Sequence, residues 1–248
     1  MRLNKYLQQA GVGSRREAER LVAEGAVRVN GQVANVTTEV PEHGAEVTVH
    51  GTRVAPATAA LPRVFRYHKP TGVIVTARDS EGRETLYEAL AKVPNIAQLP
   101  RLMPVGRLDL NSEGLLLLTD SGPLAEALMH PRNTLRRIYR VRVLGQLNAK
   151  QLAQWQAGFS ISTTHYRGAE VTHLGAGESG HNHTYEVTLT EGKNREIRRI
   201  FEHFGCQVNR LQRVAYGPCE LGTLPKRALA EVPAPEVAHL LTLINMAS

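Results

Sequence analysis

Leu115-Leu116-Leu117-Leu118 is the longest apolar run in the chain, and it stops at Thr119-Asp120-Ser121-Gly122. Four residues are far too few to cross a bilayer, which takes about 20. A short apolar run closed by turn residues instead suits a strand buried on both faces. Such a strand needs cover on either side, so the chain must build a layered domain. The surrounding pattern supplies the layers. Val64 to His68 and Gly72 to Thr76 read as strands around a Lys69-Pro70-Thr71-Gly72 turn. Pro123 opens a helix that closes at His130-Pro131, and Asn148 caps another that ends at Gly158. From Ile138 to Val143 the pattern alternates strictly, with Tyr139, Val141 and Val143 on one face and Ile138, Arg140 and Arg142 on the other. Tyr185, Val187 and Leu189 mark a further strand. The expected class is α+β, with a large, mostly antiparallel mixed sheet flanked by helices.

The first fifty residues read as a separate unit. Leu3, Leu7 and Ala10 share one face of a short helix, which Gly11-Val12-Gly13 breaks. Ser14 and Glu17 form a capping-box pattern for a second helix running to Glu24 and stopping at Gly25. Val27, Val29 and Val33 alternate around Asn30-Gly31, a strong hairpin signal, and Glu46 to Val49 supplies another strand. Residues 51–62 shift to Ala, Pro and Thr, as a linker does, leaving 63–248 as the larger domain.

Charge narrows the partners. Lys plus Arg number 30 against 23 Asp plus Glu, a formal charge of +7, which suits a polyanion such as nucleic acid or an anionic membrane surface. Within residues 1–28 the basic side chains are Arg2, Lys5, Arg15, Arg16, Arg20 and Arg28, against Glu17, Glu19 and Glu24. This layout fits either a solvated helix face or a phosphate-contacting surface. The larger domain has a basic stretch of its own in Arg132, Arg136, Arg137, Arg140 and Arg142. Cys206 and Cys219 are the only cysteines, so no disulfide framework or zinc knuckle is expected and both read as ordinary core or strand residues. The N-terminal residues are charged and polar where a signal peptide needs an apolar run, so a cytoplasmic protein is expected. His181 and His183 lie in a Gly/Ser/Asn-rich loop without nearby Cys or paired carboxylates. They read as surface histidines, and no metal site is expected.

Two segments can carry chemistry. Val105-Gly106-Arg107-Leu108-Asp109-Leu110 leads through Asn111-Ser112-Glu113-Gly114 into the buried strand, so Asp109 sits on a loop backed by rigid structure. Taken alone, a loop Asp is more often a turn aspartate, here paired with Arg107; the wider context reverses that reading. The second segment runs from Glu191 to Gly205. At about 100° per residue, Ile197, Ile200, Phe201 and Phe204 fall in one arc, Arg195, Arg199 and Glu202 lie opposite, and Arg198 sits at the margin. Arg195 and Arg199 also fit a plain solvated face.

The motifs together carry a resemblance. Leu3-x-Lys5-Tyr6-Leu7, then Gly13 to Leu21 (GSRREAERL), then Gly25-x-Val27-x-Val29-Asn30-Gly31 resembles the S4 RNA-binding domain along nearly its whole length. Gly106-Arg107-Leu108-Asp109 with Glu113-Gly114-Leu115-Leu116 resembles the catalytic motif of the pseudouridine synthases of the small-subunit-type bacterial rRNA family. Arg137-Ile138-Tyr139-Arg140-Val141 resembles that family's tyrosine strand, with Arg137 standing where lysine is more usual. Asn194 to Arg199 resembles its basic C-terminal motif, in a form closer to the 23S rRNA enzymes of the B type than to the 16S enzyme. The resemblance implies isomerisation of uridine to pseudouridine in ribosomal RNA, 23S rRNA or a ribosome assembly intermediate, by a flipped-base mechanism without a cofactor. It implies Asp109 as the catalytic carboxylate, acting as nucleophile or base, with Arg198 paired to it and keeping it ionised. Tyr139 would stack on the uracil, Ile197 would line the pocket, and Arg107 would fill the space the base vacates. RNA contacts are expected from Arg2, Lys5, Arg15, Arg16, Arg20, Lys193, Arg195 and Arg199, in a monomer with no membrane partner. The competing expectation is a non-catalytic S4-type rRNA-binding or assembly factor. A fragment of an S4-bearing aminoacyl-tRNA synthetase is set aside, because no HIGH-like or KMSKS-like motif is present.

Overall fold

The computed structural model describes residues 1–13, 15–41, 45–55, 61–178 and 180–245. Helices α1 (Leu3–Gln9) and α2 (Arg15–Ala23) precede a four-stranded sheet of β1 (Val27–Val29), β2 (Gln32–Val33), β3 (Val47–Val49) and β4 (Thr52–Val54), ordered β2-β1-β3-β4. Leu3, Leu7, Ala18, Leu21 and Val22 of the helices close on Val27, Val29, Val47 and Val49 of the sheet. The expected hairpin is present. Asn30 (φ 51°) and Gly31 (φ 80°) both take the left-handed conformation that a two-residue type I′ turn needs. Val33 faces outward and is 56% exposed. The capping box expected at Ser14 lies outside the described residues.

Two corrections to the sequence expectations concern backbone pairing. β4 pairs with β3 through Val47↔Val54, Thr48↔Arg53 and Val49↔Thr52, so the stretch expected to start the linker is part of the sheet. Gly72 to Thr76 forms no strand. Ile74 makes only an isolated bridge to Thr85, because its N–H donates to Glu84 O (2.9 Å) and its carbonyl accepts from Leu86 N (2.8 Å). The Ile74 bonds go to the start of a helix, Gly72 N donates to Leu110 O and Thr76 N to Ile74 O, so no ladder forms.

The larger domain contains β5 (Val64–Lys69), α3 (Leu86–Leu90), β6 (Met103–Pro104), β7 (Glu113–Thr119), α4 (Gly122–Met129), β8 (Arg137–Leu144) and α5 (Ala149–Ala157). It continues with β9 (Phe159–Ile161), β10 (Thr164–Tyr166), β11 (Glu170–Ala176), β12 (Asn182–Leu189), α6 (Glu196–His203), β13 (Gln207–Tyr216), β14 (Cys219–Glu220), β15 (Leu229–Glu231) and α7 (Ala234–Leu243). The main sheet runs β11-β12-β8-β13-β7-β5-β15. Its pairs are antiparallel except β13 with β7, which are parallel. The sheet is therefore mixed and mostly antiparallel, as the patterning predicts.

The leucine run explains the layering. Leu116 and Leu118 enter one core with Leu86, Trp155, Ile200 and Phe201, while Leu115 and Leu117 enter the other with Leu124, Leu128, Leu240 and Leu241. Each fully buried leucine contributes about 1.5–3 kcal/mol, so alternate residues of β7 hold helices to both faces. Local signals fix the helix starts: Ser121 Oγ accepts from Leu124 N, and Asn148 with Gln151 completes a capping box. Tyr139, Val141 and Val143 are buried on β8 while Arg140 and Arg142 face solvent. The N-terminal module touches the larger domain through Arg101 Nη1 and Glu17 Oε2 (3.0 Å) and through Gln8 Nε2 and Met103 Sδ (3.8 Å). No described helix is long and apolar enough to cross a membrane.

Candidate active site

The parallel pairing of β13 with β7 determines where the site forms. It seats Gly114 (φ 106°) against Arg213, whose carbonyl oxygen would lie 2.2 Å from any Cβ at position 114. Only glycine allows that approach. The loop that enters β7 is thereby drawn against the middle of the sheet. Lys69, the last residue of β5, holds it there. Fully buried, its Nζ donates to the carbonyls of Pro70 (2.9 Å), Asp109 (3.1 Å) and Ser112 (2.8 Å). Ser112 N also donates to Asp109 O at 3.0 Å. Burial lowers the Lys69 ammonium to about 8, helped by Arg213 and opposed by Asp109 and Glu113.

Asp109 is half-buried, and among the described residues its carboxylate carries no hydrogen bond or ion pair. The backbone is fixed and the side chain is free. It opens on a cleft of about 770 Å³ that Arg107, Tyr139, Lys193, Arg195 and Ile197 also line. The structure thus gathers six of the residues singled out from sequence, drawn from one loop, β8 and the start of α6. Arg107 is exposed at the rim and makes no pair with Asp109.

Arg198 departs from expectation. Its guanidinium makes no ion pair with the Asp109 carboxylate, and it does not line the cleft. Nη2 donates to Asn111 O (2.7 Å) and Nη1 to Val208 O (3.2 Å), tying the same loop to β13 from behind. With Ile197 facing inward, the next residue along the helix is turned by about 100°, and the carbonyls lie in its path. Burial lowers its pKa, as does Arg195, while the charge of Asp109 raises it, so the two remain electrostatic neighbours.

The expected RNA contacts divide by place. Lys193 and Arg195 line the cleft. Arg199 is exposed outside it, with Nη2 3.3 Å from Asn194 Oδ1. Arg2, Lys5, Arg16 and Arg20 are exposed on the N-terminal module, Arg20 lying 3.6 Å from Glu24, and the Arg15 side chain is outside the described residues.

Several residues escaped sequence reasoning. Lys69 is one; Arg213 and Tyr216, which line the cleft beside the Arg137 of the tyrosine strand, are two more. The Tyr216 ring has the Arg137 and Arg213 guanidinium carbons 4.8 Å and 5.2 Å from its centre, and its hydroxyl donates to Leu128 O (2.7 Å). Arg213 is 2% exposed and donates from Nε to Leu115 O at 2.7 Å. Glu113 is buried too, and pairs with Arg210 and with Lys226 (2.7 Å). Glu196 is buried at the first position of α6. A lysine closing an apolar strand and a carboxylate opening an amphipathic helix were the available signals. Both also fit solvated chain ends. His183 is a correction: it is 8% exposed rather than on the surface, with Nδ1 3.0 Å from His173 Nε2. His181 is exposed, and among the described residues no three His, Cys, Asp or Glu side chains group to hold a metal. Cys206 and Cys219 are buried and free.

With this geometry in view, residues 63–203 match the family model described as RNA pseudouridylate synthase, and residues 1–47 match the S4 domain. The chain is 39% identical to ribosomal large subunit pseudouridine synthase B of Vibrio vulnificus, over 99% of its own length and 76% of that protein. It is 40% identical to an uncharacterized RNA pseudouridine synthase of Rickettsia felis, over 93% of this chain and 96% of that one. A crystal structure of a pseudouridylate synthase, 21% identical, covers 97% of the chain and 99% of its own with a TM-score of 0.66, which marks a shared fold.

Proposed function

The chain belongs to the RNA pseudouridylate synthase family and carries an S4 domain ahead of it, and on that premise we propose that it isomerises a chosen uridine of 23S rRNA. The substrate is the free RNA or an assembly intermediate, and the protein works as a cytoplasmic monomer. One observation carries the assignment of the chemistry. Asp109 presents an unpaired carboxylate to a cleft lined by an aromatic ring and basic side chains, on a backbone held by Lys69. A protein that only bound rRNA would need no such carboxylate, so the non-catalytic alternative is not favoured.

The chemistry follows from the substrate. The uridine must leave its stack before its glycosidic bond can be reached. The C1′–N1 bond breaks, the base turns in the cleft, and a C1′–C5 bond forms. C5 loses a proton and N1 gains one, so product and substrate are isomers and the reaction itself calls for no cofactor. Asp109 starts bond cleavage as nucleophile or base, and either role needs the ionised carboxylate. Tyr139 stacks on the uracil, Ile197 forms an apolar wall, and Arg107 at the rim enters the space the base leaves. The phosphate backbone runs over Lys193, Arg195 and the S4 module.

Asp109→Asn tests the assignment. Pseudouridine formation on a 23S rRNA fragment is expected to fall to the assay background, with Tm and RNA affinity close to those of the parent. Turnover retained by the variant would remove Asp109 from this role.

A further inference from the structure

Glu196 begins α6 beside the cleft and is 3% exposed. Its Oε2 accepts the backbone N–H of Lys193 at 2.9 Å, whereas its Oε1 is sealed from solvent and meets no donor. A carboxylate oxygen left so is strongly disfavoured. The Glu191 carboxyl is a close neighbour of the Glu196 side chain, acting on it through its charge and through a side-chain hydrogen bond. Glu191 is already committed as an acceptor, to Arg167 N (2.8 Å) and to Lys193 Nζ, with the Arg167 guanidinium 3.8 Å away. The Tyr166 ring lies 5.7 Å from Lys193 Nζ and completes the surroundings.

Two facing carboxyls with one orphaned oxygen are satisfied by a single proton. We propose that Glu196 is a positioning residue working as a neutral acid, whose Oε1–H donates to Glu191 and clasps the loop 191–195 to α6. The electrostatics agree. Burial pushes Glu196 up to about 7, reinforced by Glu191 and opposed by the Lys193 amide. Burial also acts upward on Glu191, but Lys193 and the Arg167 amide outweigh it and leave that carboxyl below its usual value. The proton therefore resides on Glu196. The backbone gives a reason for a clasp: Arg195 sits at φ 52°, a state that a non-glycine residue holds when its surroundings fix it. Lys193, Asn194 and Arg195 all line the cleft, so the clasp aims the RNA-contacting loop without touching the reacting atoms.

This inference rests on the synthase assignment, and it predicts a particular split in the kinetics. Between about pH 5.5 and 8.5, loss of the Glu196 proton sets two carboxylates against each other and slackens the loop. KM on an rRNA fragment then rises several-fold across neutral pH, without a matching loss of kcat. Glu196→Gln donates a hydrogen bond at every pH and is expected to keep the low-pH KM throughout, while Glu196→Ala shows the high KM at every pH. A Glu196→Gln variant that follows the parent's rise, or that behaves like Glu196→Ala, overturns the proposal. Infrared difference spectra of the parent against Glu196→Gln read the proton without any turnover. A protonated-carboxyl band at about pH 6 that vanishes by about pH 8.5 supports the clasp, and its absence at the lower pH overturns it even for a protein with no synthase activity.

Discussion

Lys69 Nζ lies 3.1 Å from the carbonyl oxygen of Asp109, so a buried ammonium holds the backbone of the residue whose side chain faces the cleft. The contact leaves the Asp109 carboxylate free while fixing where it starts. The same nitrogen binds the Ser112 carbonyl at the end of that loop and the Pro70 carbonyl beside it in the chain, so one side chain ties the loop to the end of β5.

Lys69→Met is therefore expected to cost more than a surface lysine would. Each buried carbonyl left without a donor is disfavoured by about 1–3 kcal/mol, and water entering the site offsets part of this. A stability loss of roughly 2–4 kcal/mol is expected, read from the denaturant midpoint. Turnover should fall by on the order of a hundredfold, because a misplacement of about 1 Å at the chemistry costs that much. A variant with parental stability and rate would show that the loop holds itself.

Arg198 binds the carbonyls of Asn111 and Val208 rather than the Asp109 carboxylate, which changes what its removal should do. Arg198→Ala is expected to lower stability by about 1 kcal/mol, the net worth of ordinary hydrogen bonds whose acceptors water can reach, and to reduce kcat more than KM. Arg198→Lys should rescue little, because one ammonium cannot reproduce the fork that spans two carbonyls. A variant with normal kcat and weakened RNA binding would make Arg198 a phosphate contact.

The N-terminal module should be removed at Val54, since a cut after residue 50 strands β4 without the β3 edge it pairs with. Truncation there is expected to leave a folded domain that binds rRNA more weakly. The slope of log affinity against log salt should flatten by roughly 0.7–0.9 for each phosphate the shortened protein no longer neutralises. Arg132, Arg136, Arg140 and Arg142 stay behind and should sustain residual binding. Identical slopes for the two proteins would mean that Arg2, Lys5, Arg16 and Arg20 do not hold RNA.

Glu196 also makes a thermodynamic prediction. Its pKa is raised in the folded protein, to about 7 from 4.5, so the folded state retains a proton that the unfolded chain has released. Its contribution to stability is fully present below about pH 4.5 and is lost as pH rises through about 7. The parent should lose stability relative to Glu196→Gln across that window, by on the order of 3 kcal/mol at about 1.36 kcal/mol per pKa unit. Parallel denaturation curves over that pH range would show that Glu196 stays ionised.

Local chemistry made part of this protein legible. The leucine run announced a strand with two covered faces, Asn30-Gly31 announced a tight hairpin, and Asn148 announced a helix start. Each is decided by residues a few positions apart, through backbone sterics or side-chain periodicity. The loop carrying Asp109 and the apolar arc of α6 were visible for the same reason, as was the likeness of their motifs to a known family. What lay beyond reach depended on partners distant in the chain. Gly114 must be glycine because β13 brings the Arg213 carbonyl against it, and Lys69 is buried where two carbonyls of a remote loop join that of its neighbour Pro70 around its ammonium. Arg198 turned from the expected carboxylate to two carbonyls, and His183 went inside to meet His173. Gly72 to Thr76 forms no strand because its backbone bonds are divided among Leu110, the start of α3 and the segment itself. Burying a polar group is tolerated only where its partners are already in place. The order of strands in the sheet sets those partners, and that order is settled when the whole chain packs.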